Sequence, residues 1–194
     1  MDIAPGISAS EWHALQLDDP KSPDWYRAVE MLEKRIISRY IDPTDKLLHE
    51  DSQRSATERR FGFTILAIDC LLIETFQAFI EGKLDTTSVS GLMFENFLTK
   101  RQSFKVHFTK AIAEQFYKEF RCGILHQAEI QGTSLVWSVG ALVWFQQGTM
   151  IVNRSEFHSL LKHEFGAYLG ELRDLNNSQL RQNFRKKMDH VSRK

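Results

Sequence analysis

The residues of this chain that are best placed to do chemistry lie in the octet of residues 120–127, Phe-Arg-Cys-Gly-Ile-Leu-His-Gln. Arg121 is a permanent cation whose planar fork of N–H groups fits a phosphate. His126, five positions later, can donate or accept a proton near neutral pH. Such groups are those needed to cleave RNA without a metal. One group activates the 2′-hydroxyl, another protonates the leaving 5′-oxygen, and a cation stabilises the charge that develops on the phosphate.

A single histidine cannot act as base and acid in the same step. A symmetric dimer would bring together two histidines and two arginines, one of each from either chain. The chemistry therefore predicts a homodimer whose interface runs through the region of Arg121 and His126.

The spacing alone is a weak signal, because two other segments also have an Arg followed by a His at similar distance. Arg101 precedes His107 in a polar link, and Arg185 precedes His190 in a basic, poorly patterned tail. Only the octet follows a long amphipathic helical pattern and has an apolar, glycine-containing spacer. Context therefore favours the octet as the candidate site.

The octet resembles the signature of HEPN domains, helical-bundle proteins defined by an Arg-x4-6-His motif. The resemblance covers roughly residues 25–172, although only the octet is specific. It implies a mainly α fold, a bundle of four to five helices with a small β-hairpin before the last helix. Many HEPN proteins are metal-independent endoribonucleases that act as dimers in toxin–antitoxin, abortive-infection and other anti-phage systems. The catalytic residues of the family fall on Arg121 and His126.

The same resemblance implies an RNA substrate, no cofactor and no metal, and an antitoxin or another defence-system protein as a partner. Cys122 and Gln127, inside the octet, are candidates for supporting roles. Active HEPN members usually carry Asn, Asp or His directly after the arginine, and here Cys122 stands in that place. The alternative hypothesis is therefore an inactive module that binds a partner protein, RNA or a nucleotide.

Two carboxylates interrupt the most apolar segment of the chain, residues 61–80. Asp69 and Glu74 each need a partner if they are buried, because an unpaired buried charge is costly. Arg121 is the candidate partner for either one, and such a pair would orient the guanidinium. The other possibility is that they lie in water at the margin of the helix, or pair with a lysine elsewhere.

Local signals divide the chain into an N-terminal extension (1–22), a helical domain (23–175) and a basic C-terminal tail (176–194). Asp42-Pro43 is expected to end the first long helix, because the residue before proline avoids the helical region. A capping-box match at Ser55–Glu58 predicts a central helix that begins near residue 57.

Glycine and threonine signals mark the elements that follow. Gly82 is placed as the left-handed C-cap of the central helix. Thr109 is expected to cap the helix that leads to Arg121. Short β-branched and aromatic runs within residues 134–153 predict strands, with Gly148 in the turn of a hairpin.

Composition limits the classes of function. The chain has 194 residues, 42% of them hydrophobic, and this supports one domain with a real core. The formal net charge is zero, so any nucleic-acid site must be a local patch. Two cysteines, no signal-peptide pattern and the polar breaks in the apolar segment together predict a cytoplasmic protein without a membrane span.

Weaker candidates have structural interpretations that we favour. His158 and His163 are five positions apart, which places them on different helix faces, and we expect both at the surface. Trp137 and Trp144 could stack on bases, but packing is the commoner role of such residues. The basic tail could hold phosphates, although a charge run is more often a solvated end.

Overall fold

The structure, a computed structural model, describes residues 2–193. Helices contain 61% of the chain, which confirms the predicted mainly α class. The helices are α1 (Ala9–His13), α2 (Asp24–Ile36), α3 (Asp42–Ser52), α4 (Gly62–Glu81), α5 (Ser90–Lys100), α6 (Lys110–Phe116), α7 (Gly123–Gln127), α8 (Arg154–Arg173) and α9 (Ser178–Ser192). Segments of π-helix at Ile37–Ile41 and Tyr117–Cys122 join α2 to α3 and α6 to α7.

Short strands form two small sheets. At the N-terminus, β1 (Asp2–Ala4) pairs antiparallel with β2 (Ile7–Ser8). Before α8, the strands β3 (Leu135–Trp137), β4 (Val143–Gln146) and β5 (Thr149–Asn153) form a sheet in the order β3–β5–β4. The β4–β5 hairpin turns at Gln147 and Gly148, both with positive φ, as a tight two-residue hairpin requires. The predicted hairpin is thus confirmed, with β3 added parallel to β5.

The centre of the fold is α4, which packs against α5, α8 and α9. It is apolar on nearly all sides, as expected of a helix surrounded by others. Its C-terminus is Gly82, whose φ of 65° is the predicted left-handed cap. By length and composition α4 could cross a membrane, but most of its apolar length is buried against the rest of the fold, as in the core helix of a soluble protein.

The predicted start of α4 was wrong. Ser55 Oγ does bond to Glu58 Oε2 at 2.7 Å, but the chain there forms a turn, and the helix begins at Gly62. The reason is a carboxylate at the end of α3. Asp51 accepts hydrogen bonds from the backbone N–H groups of residues 60 and 61, at 3.2 and 3.0 Å. It therefore satisfies free amides at the start of α4. The sequence pattern had predicted that Ser55 would cap this helix.

The predicted helix end at Asp42-Pro43 was also wrong. The chain passes from α2 through the π-helical segment 37–41 straight into α3, which begins at Asp42. Pro43 lies in the first turn of α3, where its missing N–H costs no hydrogen bond. Proline, which was expected to end one helix, is therefore tolerated here in the first turn of the next helix.

Stacked aromatic rings fix the helix that leads to the octet. Thr109 caps α6 by accepting from the backbone N–H of Ile112, as predicted. Phe116 stacks on Phe120 and on Phe157 of α8, with both pairs of ring centroids 5.1 Å apart. All three rings are fully buried. This stack fixes the rotation of the segment that ends at the octet.

The N-terminal residues are part of the core and not an extension. Ser8 and Glu11 form a capping box at the start of α1. Trp12 on α1 is buried, and its ring meets Phe184 edge-on with centroids 5.7 Å apart. Its Nε1 donates to Asp189 of α9 at 2.8 Å. The first 22 residues therefore close one side of the helical domain.

The predicted basic tail, residues 176–194, was likewise misassigned, because residues 178–192 form the packed helix α9. Phe184 and Met188, one helical turn apart, are fully buried. Arg181 lies over the ring of Trp25, with its guanidinium carbon 4.1 Å from the ring centroid. The apolar stripe of this segment has only one residue per turn, so its high charge made the segment resemble a solvated tail in the sequence.

If α9 is integral to the core, then Phe184→Ala should destabilise the whole protein. The ring touches Trp12, Trp25 and Phe79, and deletion of such a buried ring costs about 3–5 kcal/mol. Urea unfolding followed by circular dichroism measures the change in the free energy of unfolding. Leu175→Ala, at a site that is 52% exposed, is the control and should change it by less than about 0.5 kcal/mol. A loss below about 1 kcal/mol for Phe184→Ala would contradict this role.

Candidate active site

The structure brings the predicted Arg121 and His126 together. Arg121 lies near the end of the π-helical segment and His126 lies on α7, so the two are neighbours on consecutive helical turns. Arg121 Nη1 is 3.2 Å from His126 Nε2. A guanidinium only donates hydrogen bonds, so in this contact Arg121 is the donor and Nε2 is the acceptor.

Gly123 is required by the return of the chain after α7. A Cβ atom at this position would lie 2.4 Å from the carbonyl oxygen of Glu129 and 2.9 Å from the amide nitrogen of Gln131. Backbone atoms at such distances cannot be avoided by a side-chain rotation. The glycine in the octet therefore allows the chain to fold back over α7 while Arg121 and His126 stay on the open side.

Arg121 is held in place by Glu74 of α4. Its Nη2 donates to Glu74 Oε2 at 3.1 Å, and Glu74 Oε1 accepts from the hydroxyl of Thr86 at 2.5 Å. Both charged side chains are less than one-fifth exposed. Burial works to lower the pKa of Arg121, but the hydrogen bond with Glu74 and nearby charges outweigh it and raise the pKa. Glu74 is thus a partner of Arg121, and its role in orienting the guanidinium stays a prediction.

Tyr117 is a site residue that the sequence analysis did not single out. The guanidinium carbon of Arg121 lies 5.5 Å from the centroid of the Tyr117 ring, within cation–π range. The Tyr117 hydroxyl is hydrogen-bonded to Ser90 Oγ of α5 at 2.5 Å. The signal for this role was the spacing of four residues between Tyr117 and Arg121, which places both on one helix face.

Asp69 does not contact Arg121, so the proposed support from this residue was wrong. Its Oδ1 is bonded to His158 Nδ1 at 2.6 Å, and both side chains are almost fully buried. Burial raises the pKa of Asp69, and the hydrogen bond and charge of His158 act in the opposite direction. The prediction that His158 lies at the surface was therefore also wrong, while His163 is exposed as expected.

Further polar groups connect the buried pair of Asp69 and His158 to the surface of the fold. The other ring nitrogen of His158 is 3.5 Å from Asp45 Oδ1 of α3, and Asp45 binds Lys162 Nζ at 2.6 Å. This chain of polar groups joins α3, α4 and α8. His158 in this chain of groups is the partner of Asp69, the carboxylate of α4 that does not contact Arg121.

Cys122 and Gln127 make no hydrogen bond to Arg121 or His126 in the part of the chain that the structure describes. Cys122 is half-buried, and Gln127 is exposed beside the equally exposed His126. The other cysteine, Cys70, is fully buried, and burial, followed by the charge of Asp69, raises its pKa well above the ordinary thiol value. A supporting role for Cys122 or Gln127 therefore stays a prediction.

The competing Arg/His pairs are built differently. Arg101 Nε donates to Glu164 at 2.8 Å, and its Nη2 binds Glu171 at 2.8 Å, so two carboxylates hold this guanidinium between α5 and α8. Arg185 lies on α9 and pairs with Asp18. Since two carboxylates hold Arg101, we interpret its ion pairs as structural.

The Trp residues of the small sheet contact each other. Trp137 and Trp144 meet edge-on with centroids 5.7 Å apart, and Trp137 is 44% exposed. This contact agrees with the packing role that we favoured. Within residues 2–193, no group of three His, Cys, Asp or Glu side chains is arranged to hold a metal ion.

Comparisons with protein-family models, curated proteins and solved structures found no match to this chain. The arrangement of helices specific to HEPN domains is therefore not established, and the resemblance rests on the octet. What the geometry adds is local. It places a cation, an imidazole, a carboxylate and an aromatic ring within contact distance at an open end of the helical domain.

The Arg101–Glu164 pair generates a pH-dependent prediction. Burial works to raise the pKa of Glu164, but hydrogen bonds from Ser103 and Arg101 outweigh it and lower the pKa below 4.5. A depressed pKa stabilises the fold above the unfolded value, and this stability is lost as the pH falls through the folded value. Glu164→Gln should therefore cost about 1.5–3 kcal/mol at neutral pH, the range for hydrogen bonds to charged groups.

The cost of Glu164→Gln should shrink as the pH falls, because the protonated wild-type carboxyl then resembles the amide. Urea unfolding of both proteins at about pH 7, 5 and 3 tests this, since acid removes the charge that the native state stabilises. A difference between the two proteins that stays constant over the whole range would show that the ionised carboxylate contributes nothing.

Proposed function

We propose that this protein is a cytoplasmic, metal-independent endoribonuclease of HEPN type that cleaves RNA by attack of a 2′-hydroxyl on the adjacent phosphate. The observation that carries the proposal is the contact of 3.2 Å between Arg121 and His126 at an exposed helix end. An arginine held by Glu74 beside a neutral, solvent-accessible histidine has the two functions that this reaction needs most, a fixed cation and a proton acceptor.

In the proposed reaction, a bond forms between the 2′-oxygen and phosphorus while the bond from phosphorus to the 5′-oxygen breaks. Neutral His126 takes the 2′-hydroxyl proton. A protonated His126 from a second copy of the chain gives a proton to the leaving 5′-oxygen. The products are a 2′,3′-cyclic phosphate and a 5′-hydroxyl. No oxidant, reductant or metal enters the balance.

Arg121 would stabilise the extra negative charge on the phosphate oxygens. Glu74 and His126 each use one of the hydrogen bonds that its terminal nitrogens can donate. The guanidinium has further N–H groups on those nitrogens for a phosphate. Glu74 and the Tyr117 ring hold the guanidinium on one side, so that binding of a phosphate requires only the exchange of its contact with His126.

The requirement for a second histidine makes a homodimer part of the proposal. Leu125 is adjacent to His126 on α7 and is 46% exposed. An apolar side chain next to a proposed composite site is suited to burial by another copy. A role as a toxin or an anti-phage effector, with an antitoxin or another defence protein as partner, is proposed from the HEPN resemblance alone.

A second candidate function is favoured by the same ion pair. Glu74 neutralises the charge of Arg121, and Arg121 in turn occupies Nε2 of His126. With Cys122 in place of the usual polar residue, these contacts also suit an inactive module that binds a protein, RNA or a nucleotide. In such a module Arg121 would be kept for binding or for structure.

Cleavage assays separate the two functions. Purified wild-type protein should cut a labelled RNA in the presence of EDTA, and His126→Ala and Arg121→Ala should each reduce the rate by about 10²–10⁴-fold, as loss of an acid–base or oxyanion-stabilising group does. His163→Ala removes an exposed histidine away from the site and is the matched control. Mass spectrometry of the fragments should find 2′,3′-cyclic phosphate ends.

If wild-type protein leaves RNA intact with EDTA and with added metal, and its expression is no more toxic than that of either variant, the ribonuclease proposal fails. Cleavage that survives in both His126→Ala and Arg121→Ala would locate the activity elsewhere.

The dimer is tested by a charge placed next to the proposed site. Leu125→Asp should weaken self-association, because it puts a carboxylate into an interface that would be desolvated, and it should lower cleavage in parallel. Analytical ultracentrifugation at micromolar concentration measures association. Leu175→Asp, at another half-exposed leucine, should change neither property. A wild-type protein that is monomeric yet fully active would exclude the composite site.

A further inference from the structure

A second surface of this protein has the charge expected of a nucleic-acid contact. It is formed by α9, the C-terminal end of α2 and the adjoining π-helical turn, and the loop after α4. Adjoining cavities of about 280 and 270 Å³ open here and share Leu84 and His190. Among the described residues, the Lys and Arg side chains that line them are Arg35, Arg39, Arg185, Lys186, Lys187 and Arg193. We call this surface the basic face.

The basic face is strongly positive in a neutral protein. The acidic residues that line the same cavities are Asp2 and Asp189. Six cationic side chains against two carboxylates leave four net positive charges, whereas the whole chain has a formal net charge of zero. The charge is therefore segregated to this face.

Arg35 and Arg39 are held in place without being neutralised. Arg35 donates to the carbonyl oxygen of Ile3, and Arg39 donates to that of Asp2 at 3.0 Å. Carbonyl groups carry no net charge, so the guanidinium charges remain. The two arginines are one helical turn apart, a spacing at which like charges repel. Burial, and then the charge of Arg39, lower the pKa of Arg35.

Two of the acidic groups near the basic face, Asp189 and Asp18, compete only weakly for its cations. Asp189 already accepts a hydrogen bond from Trp12 Nε1 at 2.8 Å. Arg185 pairs with Asp18, but the Asp18 side chain is 90% exposed. Ion pairs in water contribute little, so a phosphate can displace this one.

A short loop joins the basic face to the candidate active site. Lys187 Nζ donates to the carbonyl of Leu84 at 3.1 Å. Two residues later, Thr86 donates to Glu74, which binds Arg121. Leu84 and Thr86 are two residues apart and so are separated by at most roughly 7 Å of chain. The cations of α9 and Arg121 therefore border the same loop.

We propose that the basic face binds the phosphodiester backbone of single-stranded RNA and guides the strand to Arg121 and His126, an inference that rests on the proposed function. A positive groove that follows the backbone is the usual way in which proteins hold single strands. A membrane surface fits less well, since Phe184 and Met188 of α9 are buried in the core and Leu180 and Val191 are partly buried. The helix has no apolar stripe left to enter a bilayer.

The test measures binding without cleavage. In a His126→Ala background, Arg39→Gln, Lys186→Gln and Arg193→Gln together remove three cations of the basic face. Fluorescence anisotropy with a labelled uridine oligonucleotide of about 20 nucleotides gives the affinity, over salt concentrations from about 50 to 200 mM. The slope of log affinity against log salt should fall in magnitude by about 2, at roughly 0.7 per lost phosphate contact.

The matched control removes three exposed cations from another face. Arg27→Gln, Lys34→Gln and Lys46→Gln change the net charge equally but lie on α2 and α3 away from the basic face. This triple variant should bind RNA within about twofold of the His126→Ala parent, because long-range effects between exposed charges are screened by salt.

A second variant guards against misfolding. Arg39 contacts β1, whereas Lys186 is exposed on α9 and Arg193 is exposed directly after it. The double variant Lys186→Gln, Arg193→Gln should therefore keep the fold and still show about two-thirds of the change in slope that the triple variant shows.

Three results would overturn the inference. They are equal affinity and slope in the basic-face variants and the parent, equal weakening by the control triple, and no measurable RNA binding by the parent. Loss of binding to vesicles that contain phosphatidylserine, with RNA binding unchanged, would also reject it and favour a membrane. Because the assay uses an uncleaving background, it is decided separately from the ribonuclease proposal. That proposal fails if wild-type protein does not cut RNA, whatever the anisotropy shows.

Discussion

The burial of α4 is the constraint on which the rest of this structure depends. A helix that is apolar on nearly every side needs neighbours on every side, and here α5, α8 and α9 supply them. Any carboxylate on such a helix must also find a partner, since an unpaired buried charge is costly. Asp69 is satisfied by His158 of α8, and Glu74 by Arg121. The ion pair at the candidate site is thus one of the two contacts that supply partners for the carboxylates of α4.

The ion pair of Glu74 and Arg121 forms only because the helix that carries Arg121 is rotated correctly. The stacked rings of Phe116, Phe120 and Phe157 set that rotation from the core side. The π-helical segment then turns the chain more widely than an α-helix would, and such segments are frequent at functional sites. The site geometry is therefore a consequence of aromatic packing several residues away.

Sequence reasoning identified the mainly α class, the central helix, its glycine cap and the hairpin, because each has a strong local signal. It also singled out Arg121, His126 and Glu74. It failed where a distant residue decides a local outcome. Asp51 caps α4 from another helix, and His158 is hydrogen-bonded to Asp69 across the core. Neither contact has a signature in the segment that it stabilises.

The misassigned ends of the chain have a different cause. In α9 a single apolar residue per turn is enough for burial, because Trp12, Trp25 and Phe79 form a pocket around Phe184. Composition alone gave this segment the appearance of a solvated tail. The apolar stripe of α9 packs against aromatic residues from the first 25 positions and from the central helix. The order of the elements along the chain does not predict that these residues come together.

The charge of the candidate site leads to a final consequence. Arg121 and Glu74 cancel at contact distance, so the site itself has almost no long-range attraction for a polyanion. Any affinity for RNA must then come from cations that lie outside it, and attraction of this kind acts over about 8–10 Å at physiological salt. In our proposal this attraction comes from the basic face, which is joined to the site through the loop that contains Thr86. Approach of a phosphate would then shift Arg121 from His126 toward the new anion, which frees Nε2 of the imidazole to accept a proton. In this view the resting contact between Arg121 and His126 is replaced when the substrate binds, and the division between a neutral site and a charged approach surface follows from the need to bury α4.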